Sequence, residues 1–474
     1  MNIPLVTVVV LYMAATFVVA WRLKSRVTDN EDYLLAGRNI GTTLMATMLL
    51  AINFGGAFVL GTSQDAYAVG FAAVSFAIGI FFGLTCLGLF VTRRVRSTHF
   101  STVPDFLSRR FRSTALAVLV SLMSIIALTG ILGGQIAAIG SAFTTLGLTY
   151  ETSAIIGTVL IIVLTALSGM WGVAVTDFIQ FCVITVGLVV ITVMSVSAAG
   201  GIGAISATYE AAGVSDPFNP LNQGWAFFLG AALPVFVHKQ VGQDVMQRVF
   251  AAKTTTVARR GAIIAGVLTA LFAVFPALSG MAAKTLIPDL DPSVGAIPAL
   301  IQDVLPVWAA GIFVAALISA VISTADAILL AIVSNISSDL IARLPQKTAQ
   351  TLGSLTATRI ITVVVGGLAL VASLLVPNII TILTMAFTMY GAGVFALFFM
   401  GLFTNFGGKI SALGSLLVGS ALGLAGVLGW KPIEVVPPVA SAVAAALVTY
   451  VALAVLTGER QKDSILQNEN ASTV

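Results

Sequence analysis

What most constrains this chain is a recurring apolar run, each long enough to cross the roughly 30 Å hydrocarbon core of a bilayer, for which a helix needs about 20 residues. Thirteen such stretches can be drawn, at 4–21, 40–62, 69–91, 115–145, 152–169, 172–199, 223–240, 259–283, 307–333, 359–377, 379–403, 409–430 and 437–457. They are far longer than the alternating strands of a membrane barrel, and a helix satisfies its own backbone hydrogen bonds inside lipid. The expected class is an all-α integral membrane protein with about 13 transmembrane helices. At 58% hydrophobic and 9% charged residues, water is not its main solvent. In the first stretch Arg22, Lys24 and Arg26 follow the apolar run, the reverse of signal-peptide order, so that helix is expected to remain. Cys86 and Cys182 both fall inside stretches and imply no disulfide framework.

Placing the amino terminus outside puts all but Lys284 and Lys431 of the 23 Lys and Arg residues on the inner side. That segregation is what cytoplasmic loops carry, so the expected location is a bacterial-type inner membrane with the carboxy terminus cytoplasmic. The net charge of +4 belongs to these short loops, the arginine-rich one at 92–114 with His99 among them, and nucleic acid is not an expected partner. The expected partners are the lipid bilayer and a small-molecule solute, with no obligate protein partner.

Stretches two to six and seven to eleven form two sets of five, and an odd-numbered set repeated in tandem must enter the membrane in opposite senses. The expected division is 1–39 for the first helix and inner loop and 40–199 for one five-helix set. An external loop at 200–222 leads to the second, inverted set at 223–404, then two peripheral helices at 405–457 and a tail at 458–474. Each set opens on a helix carrying a breaker: Asn53-Phe54-Gly55-Gly56 in the first, and Gly230 with Pro234 in the second. Paired interruptions of this kind mark the midplane site of a transporter. The segment 284–306, with Asp289, Asp291 and Asp303, reads as an external loop holding a short amphipathic helix.

Two acids, Asp177 and Asp326, fall within apolar stretches, and no Lys or Arg clearly does so. A carboxylate in the bilayer costs at least about 2.5 kcal/mol and requires a partner. Without a basic neighbour, the expected partner is a mobile cation or a proton. Both acids lie in the inner part of the membrane, on one possible pathway. Ser319, Ser323 and Thr324 stand beside Asp326, and residues 320, 323, 324 and 327 share a helical face. Hard oxygen ligands suit a small cation. The only histidines, His99 and His238, sit at the inner edge, and there is no metal-spaced cluster, phosphate loop or serine triad, so no enzyme is expected. No selectivity-filter repeat appears, which favours a carrier over a cation channel. A proton-coupled carrier using the two aspartates stays open as the alternative.

Several motifs resemble those of the sodium:solute symporter family. These are Asp32-Tyr33-Leu34-Leu35-Ala36-Gly37-Arg38; Gly169-Met170-Trp171-Gly172 through Thr176-Asp177-Phe178-Ile179-Gln180; and Gln243-Asp244 to Gln247-Arg248 with Ala251-Ala252-Lys253. To them are added the hydroxyl pair Ser323-Thr324 and Gly401-Leu402-Phe403 to Gly407-Gly408-Lys409. The resemblance implies an inverted five-plus-five helix repeat of the LeuT type and sodium-coupled symport of a small organic solute by alternating access, with Na+ as coupling ion. It implies a sodium site of backbone carbonyls at Ala51, Phe54 and Ala320 with the Ser323 and Thr324 hydroxyls. Asp177 would line the inner exit or, with Asp326, a second cation or proton site. Some relatives with that second site carry further hydroxyls where this chain has Asp326 and Ala327. For solute the resemblance implies Asn53, Gly56, Phe58, Gln135 and Phe236.

Overall fold

The computed structural model describes residues 3–96, 100–144, 146–290, 295–375, 379–430 and 436–459. His99, Asp291 and Lys431, named above, lie outside the described residues. The chain is helical throughout, beginning with α1 (Ile3–Leu23), α2 (Asn30–Leu35), α3 (Thr42–Ala51), α4 (Thr62–Val69), α5 (Ser75–Cys86), α6 (Thr92–Arg96) and α7 (Val103–Phe111). It continues with α8 (Thr114–Thr144), α9 (Tyr150–Ala198), α10 (Ile202–Ala211), α11 (Gly224–Val241), α12 (Gln243–Ala251), α13 (Thr255–Phe272) and α14 (Val274–Leu286). The last third holds α15 (Ala296–Asp303), α16 (Val307–Ser334), α17 (Gln346–Leu352), α18 (Leu355–Leu375), α19 (Ile379–Phe403), α20 (Lys409–Val427) and α21 (Pro438–Thr457). Among the described residues no strand forms, and the one extended pairing is a bridge between Ile40 and Ala252.

Nine helical stretches among the described residues are long and apolar enough to cross a membrane. Their outward faces are apolar. On α18, Ile360, Val363, Val364, Leu368 and Val371 are all exposed at helical spacing, the inverse of a soluble helix. At the centre α16 is buried over nearly all of its length beyond its first two residues, packed by α8, α9, α1 and α18. A helix apolar on every side is expected in such a position.

One of the nine, Tyr150–Ala198, is not a straight rod. Thr165 lies beside Asp326 and Gly187 beside Ala316. Along α16 those partners are about 15 Å apart, whereas a straight helix would separate Thr165 from Gly187 by roughly 33 Å. The chain therefore reverses between them, and it does so at Gly169, whose φ of 50° and ψ of −147° leave the helical region. A Cβ there would stand 2.5 Å from the Tyr33 carbonyl oxygen, so both the turn and the close approach require glycine. The expected separate stretches 152–169 and 172–199 are the two arms.

The first expected breaker is present: α3 ends at Ala51, residues 52–55 form turns and bends, and a wide helical turn over Ala57–Gly61 leads into α4. The second is not where expected. The helix α11 runs unbroken through Gly230 and Pro234, and the interruption falls at Gly242, whose extended backbone (φ −61°, ψ 126°) separates α11 from α12. Pro234 deprives the Gly230 carbonyl of its helical donor, but a glycine four residues earlier leaves room around the proline ring, and the helix carries through. The short helix expected in the segment 284–306 is α15, tied to α4 by the Ala296 N–H donating to Gln64 Oε1 at 2.9 Å.

Candidate functional site

The break after α3 lays its terminal carbonyls against the middle of α16. Ser323 Oγ is 3.3 Å from the Ala51 carbonyl and 3.0 Å from that of Ala320. Thr324 Oγ1 is 3.1 Å from the Ala51 carbonyl, 3.5 Å from that of Ile52 and 3.0 Å from that of Ala320. Five oxygens thus meet at one point, two of them hydroxyls. The Ala51 carbonyl also takes the Phe54 N–H at 3.2 Å and the Ala320 carbonyl lies within the continuous α16, so the carbonyls gathered here come both from the broken end of α3, where helix carbonyls lose regular partners, and from an intact turn. Gly55 makes the approach possible, since a Cβ on it would fall 2.5 Å from Thr324 Oγ1 and 2.9 Å from Gln135 Oε1.

Four of the five residues expected to form the sodium site, Ala51, Ala320, Ser323 and Thr324, are brought together. The Phe54 carbonyl is not among those the two hydroxyls reach; its ring stacks on that of Phe58 at 4.6 Å, both fully buried. The Ile52 carbonyl was not singled out from sequence, because a break of several residues does not reveal which carbonyls it turns inward.

Next to this cluster is a cavity of about 40 Å³. Asn53, Gln135, Lys239, Asp244 and Thr324 form its polar side, and Phe76, Ile80, Ile131, Val235, Ile328 and Phe387 its apolar side. The Gly56 N–H donates to Gln135 Oε1 at 3.1 Å. The Asn53 amide donates to the Leu49 carbonyl, leaving Oδ1 buried without a partner. Phe236 does not face this cavity: it packs into a separate apolar cluster with Val237, Ala392, Val439 and Ala442. Val235 and Lys239, four residues apart on α11, are on the wall instead. A larger groove beside α1, lined by Val9, Met13, Phe17 and Phe143 among others, opens on the lipid-facing surface and offers no polar group to read a solute.

The expectation that no basic side chain would stand in the interior is corrected. Arg248 and Asp177 are both 1% exposed, with Nη2 and Oδ2 3.8 Å apart. Arg248 also donates to the Met48 and Asp244 carbonyls at 3.2 and 2.6 Å. Lys239 is 4% exposed. Both were read as inner-loop charges, and the cause of the difference is the break at Gly242, which folds α12 back under the bundle. Its fit is close, since a Cβ on Gly242 would meet Asp244 Oδ1 at 2.5 Å and His238 Nε2 at 2.6 Å. Those two atoms bond at 3.0 Å. Burial works to raise the Asp244 carboxyl, but the His238, Lys239 and Arg248 charges outweigh it and hold the group well below the usual carboxylate range. Asp326 is buried on α16 and accepts a hydrogen bond from Thr165 Oγ1 at 2.8 Å.

The profile of the sodium:solute symporter family matches residues 33–419. The chain belongs to the sodium:solute symporter family. This symporter is 29% identical over 443 residues to the sodium/pantothenate symporter of Escherichia coli (strain K12), covering 89% of this chain and 90% of that protein. It superposes with a TM-score of 0.85 at 19% identity on a Na+-coupled sialic acid symporter in a substrate-bound outward-open state, covering 97% and 99% of the two chains. A nucleobase-cation-symport-1 family transporter in a closed conformation gives 0.61 at 14% identity over 92% and 98%. The symporter therefore has an all-α, multi-pass membrane fold of the LeuT type, and it is a secondary active transporter coupled to sodium, not an enzyme.

Proposed function

We propose that sodium binds at the oxygen cluster of Ala51, Ile52, Ala320, Ser323 and Thr324, with the Phe54 carbonyl as a further ligand, and that this cluster couples entry of a small organic solute into the adjoining cavity. The observation that carries the reading is the convergence of five oxygens, two of them hydroxyls, where the break after α3 meets the middle of α16. A small cation takes hard oxygen ligands of this kind, and in doing so it clamps the break after α3 to α16. Asn53, Gly56, Phe58 and Gln135 then shape the solute's side of the break. Asp326, with Asp177, makes a second cation or proton site, at which Arg248 competes for Asp177.

The thirteen spans and the inverted pairing of residues 40–199 with 223–404 belong to this reading. Support comes from the interruptions at residues 52–55, after α3, and at Gly242, after α11, which follow the first helix of each set. The inner-membrane location with the amino terminus outside rests on the segregation of basic residues. Alternating access follows if the cluster holds the two halves together when sodium is bound and releases them when it leaves.

The test is ion-specific stabilisation of the purified protein. A ligand that binds the folded state adds about 2.7 kcal/mol at one hundred times its dissociation constant, so sodium is expected to raise the melting temperature where equimolar potassium does not. Equal melting in the two salts would count against the site.

A further inference from the structure

We propose that Tyr12, on α1 and outside both five-helix sets, is a positioning residue of the second site: with Gln180 it supplies the donors that steady Asp326 once its carboxyl has lost a proton. This rests on the reading of Asp326 and Asp177 as a cation or proton site, and deepens it by naming what that site exchanges and which helix takes part.

One face of α1 is built into the bundle. Val9, Met13, Thr16 and Ala20 are buried at helical spacing, and the helix packs on α9 and α16. At the edge of this face the Tyr12 hydroxyl is buried without a hydrogen-bond partner. It faces Ser319 of α16 and Gln180 of α9, with Asp326 beyond. Gln180 is 0% exposed, and neither its Oε1 nor its Nε2 has a partner. Ser319 donates its proton to the Ala315 carbonyl at 2.6 Å, so its oxygen is left to accept. Thr16 likewise donates to the carbonyl of Tyr12 at 3.0 Å.

Polar side chains that serve only to hold membrane helices together bond to one another. Here a phenol and both ends of an amide face each other and do not bond. Donors in that condition are free to turn toward a charge when one develops, directly or through a water, which takes about three polar partners.

The charge that develops is on Asp326. Thr165 has one hydroxyl proton and two oxygens in reach, the Ile161 carbonyl at 2.9 Å and Asp326 Oδ1 at 2.8 Å. Both bonds are fully made only when the carboxyl brings a proton of its own. A cation binds there after that proton has left for water, and the bare carboxylate then needs donors. The other groups around it are engaged. Asp177 has the same charge and is met by Arg248 at 3.8 Å. Tyr33 of α2 is bonded to the Thr165 carbonyl and to Thr362, and Arg359 of α18, beyond Tyr33, points to the Leu167 carbonyl at 3.5 Å. Ser319, Ser323 and Asp326 share one face of α16, so the Tyr12 end, the sodium cluster and Asp326 lie along one line of oxygens.

The experiment uses the full chain, purified, with sodium exchanged for potassium at constant total salt. The melting temperature is titrated with sodium over a series of pH values for the parent, Tyr12→Phe, Gln180→Met and Asp326→Asn. In the parent, apparent sodium affinity is expected to fall as pH is lowered. In Tyr12→Phe the fall is expected to begin about one pH unit higher, which makes sodium binding about tenfold weaker at the parent's midpoint. Gln180→Met is expected to move in the same direction. At alkaline pH both are expected to match the parent, which reports that they are folded. A Tyr12→Phe variant that loses melting temperature equally at every pH, or keeps the parent's pH dependence, overturns the proposal. A flat Asp326→Asn profile beside an unchanged Tyr12→Phe leaves the second site standing and removes Tyr12 from it. An Asp326→Asn variant that titrates like the parent removes the second site and this proposal together.

Discussion

Ser323 and Thr324 illustrate how a hydroxyl in a membrane helix acquires a task beyond its own helix. Each reaches the Ala320 carbonyl, as hydroxyls in apolar helices commonly bond back one turn. Each also reaches across to Ala51, which no local rule requires. Replacing both with alanine is expected to lower apparent sodium affinity roughly 30-fold or more, taking about 1 to 2 kcal/mol for each ligand lost. A sodium titration of the melting temperature would read this, and an unchanged midpoint would remove them from the site. Asp326→Asn addresses the second site. A carboxylate at this depth requires a cation or a proton, so sodium affinity is expected to fall as pH is lowered and the substitution to flatten that dependence. If the variant titrates like the parent, Asp326 is only a packing partner for Thr165. These residues were legible because oxygen-bearing side chains stand out against an apolar run. Lys239 and Arg248 were not, because a basic residue near an inner helix end is also what positive-inside topology produces, and burial depends on where α12 folds.

At the scale of elements, glycine decides which helices turn. Gly169→Ala is expected to be poorly folded, because it places a Cβ 2.5 Å from the Tyr33 carbonyl oxygen at a φ of 50°, a strain of at least about 1 kcal/mol before any displacement. Gly230→Ala, where a Cβ meets nothing within 4 Å on a continuous helix, is expected to be neutral or to stabilise by up to about 1 kcal/mol. Thermal melting of the two side by side separates them; a destabilised Gly230→Ala would restore the interruption expected there from sequence. The Gly169 turn was legible as the gap between two apolar runs. The Gly242 break was not, because Gly230 and Pro234 lie in the middle of an apolar run while Gly242 sits among residues that read as a loop. Apolar length reports the helices, and only tertiary packing reports which of several glycines is used to bend them.

Seen whole, the described residues form a sheath of helices with apolar outward faces around one, α16, that is buried beyond its first two residues. The proposed orientation makes a simple prediction. In sealed right-side-out vesicles an impermeant amine reagent is expected to label Lys284, on the α14 end, and to spare Lys253, at the loop following α12; the opposite pattern inverts the topology. The central helix has a further consequence, for biogenesis. Thr165 precedes Asp326 by 161 residues, which at about 5–20 residues per second of synthesis is a delay of roughly 8–30 s. Through that interval the first half of the chain stands in the bilayer with the Thr165 hydroxyl destined for α16 facing an unfilled seam. A helix so apolar partitions into lipid unaided, and it must then be drawn out of lipid into that seam. The last stage of assembly is therefore an enclosure, in which the late-made α18 seals α16 behind it, and a nascent chain arrested before Leu355 remains open along one side to any quality-control factor that recognises polar groups exposed in the membrane.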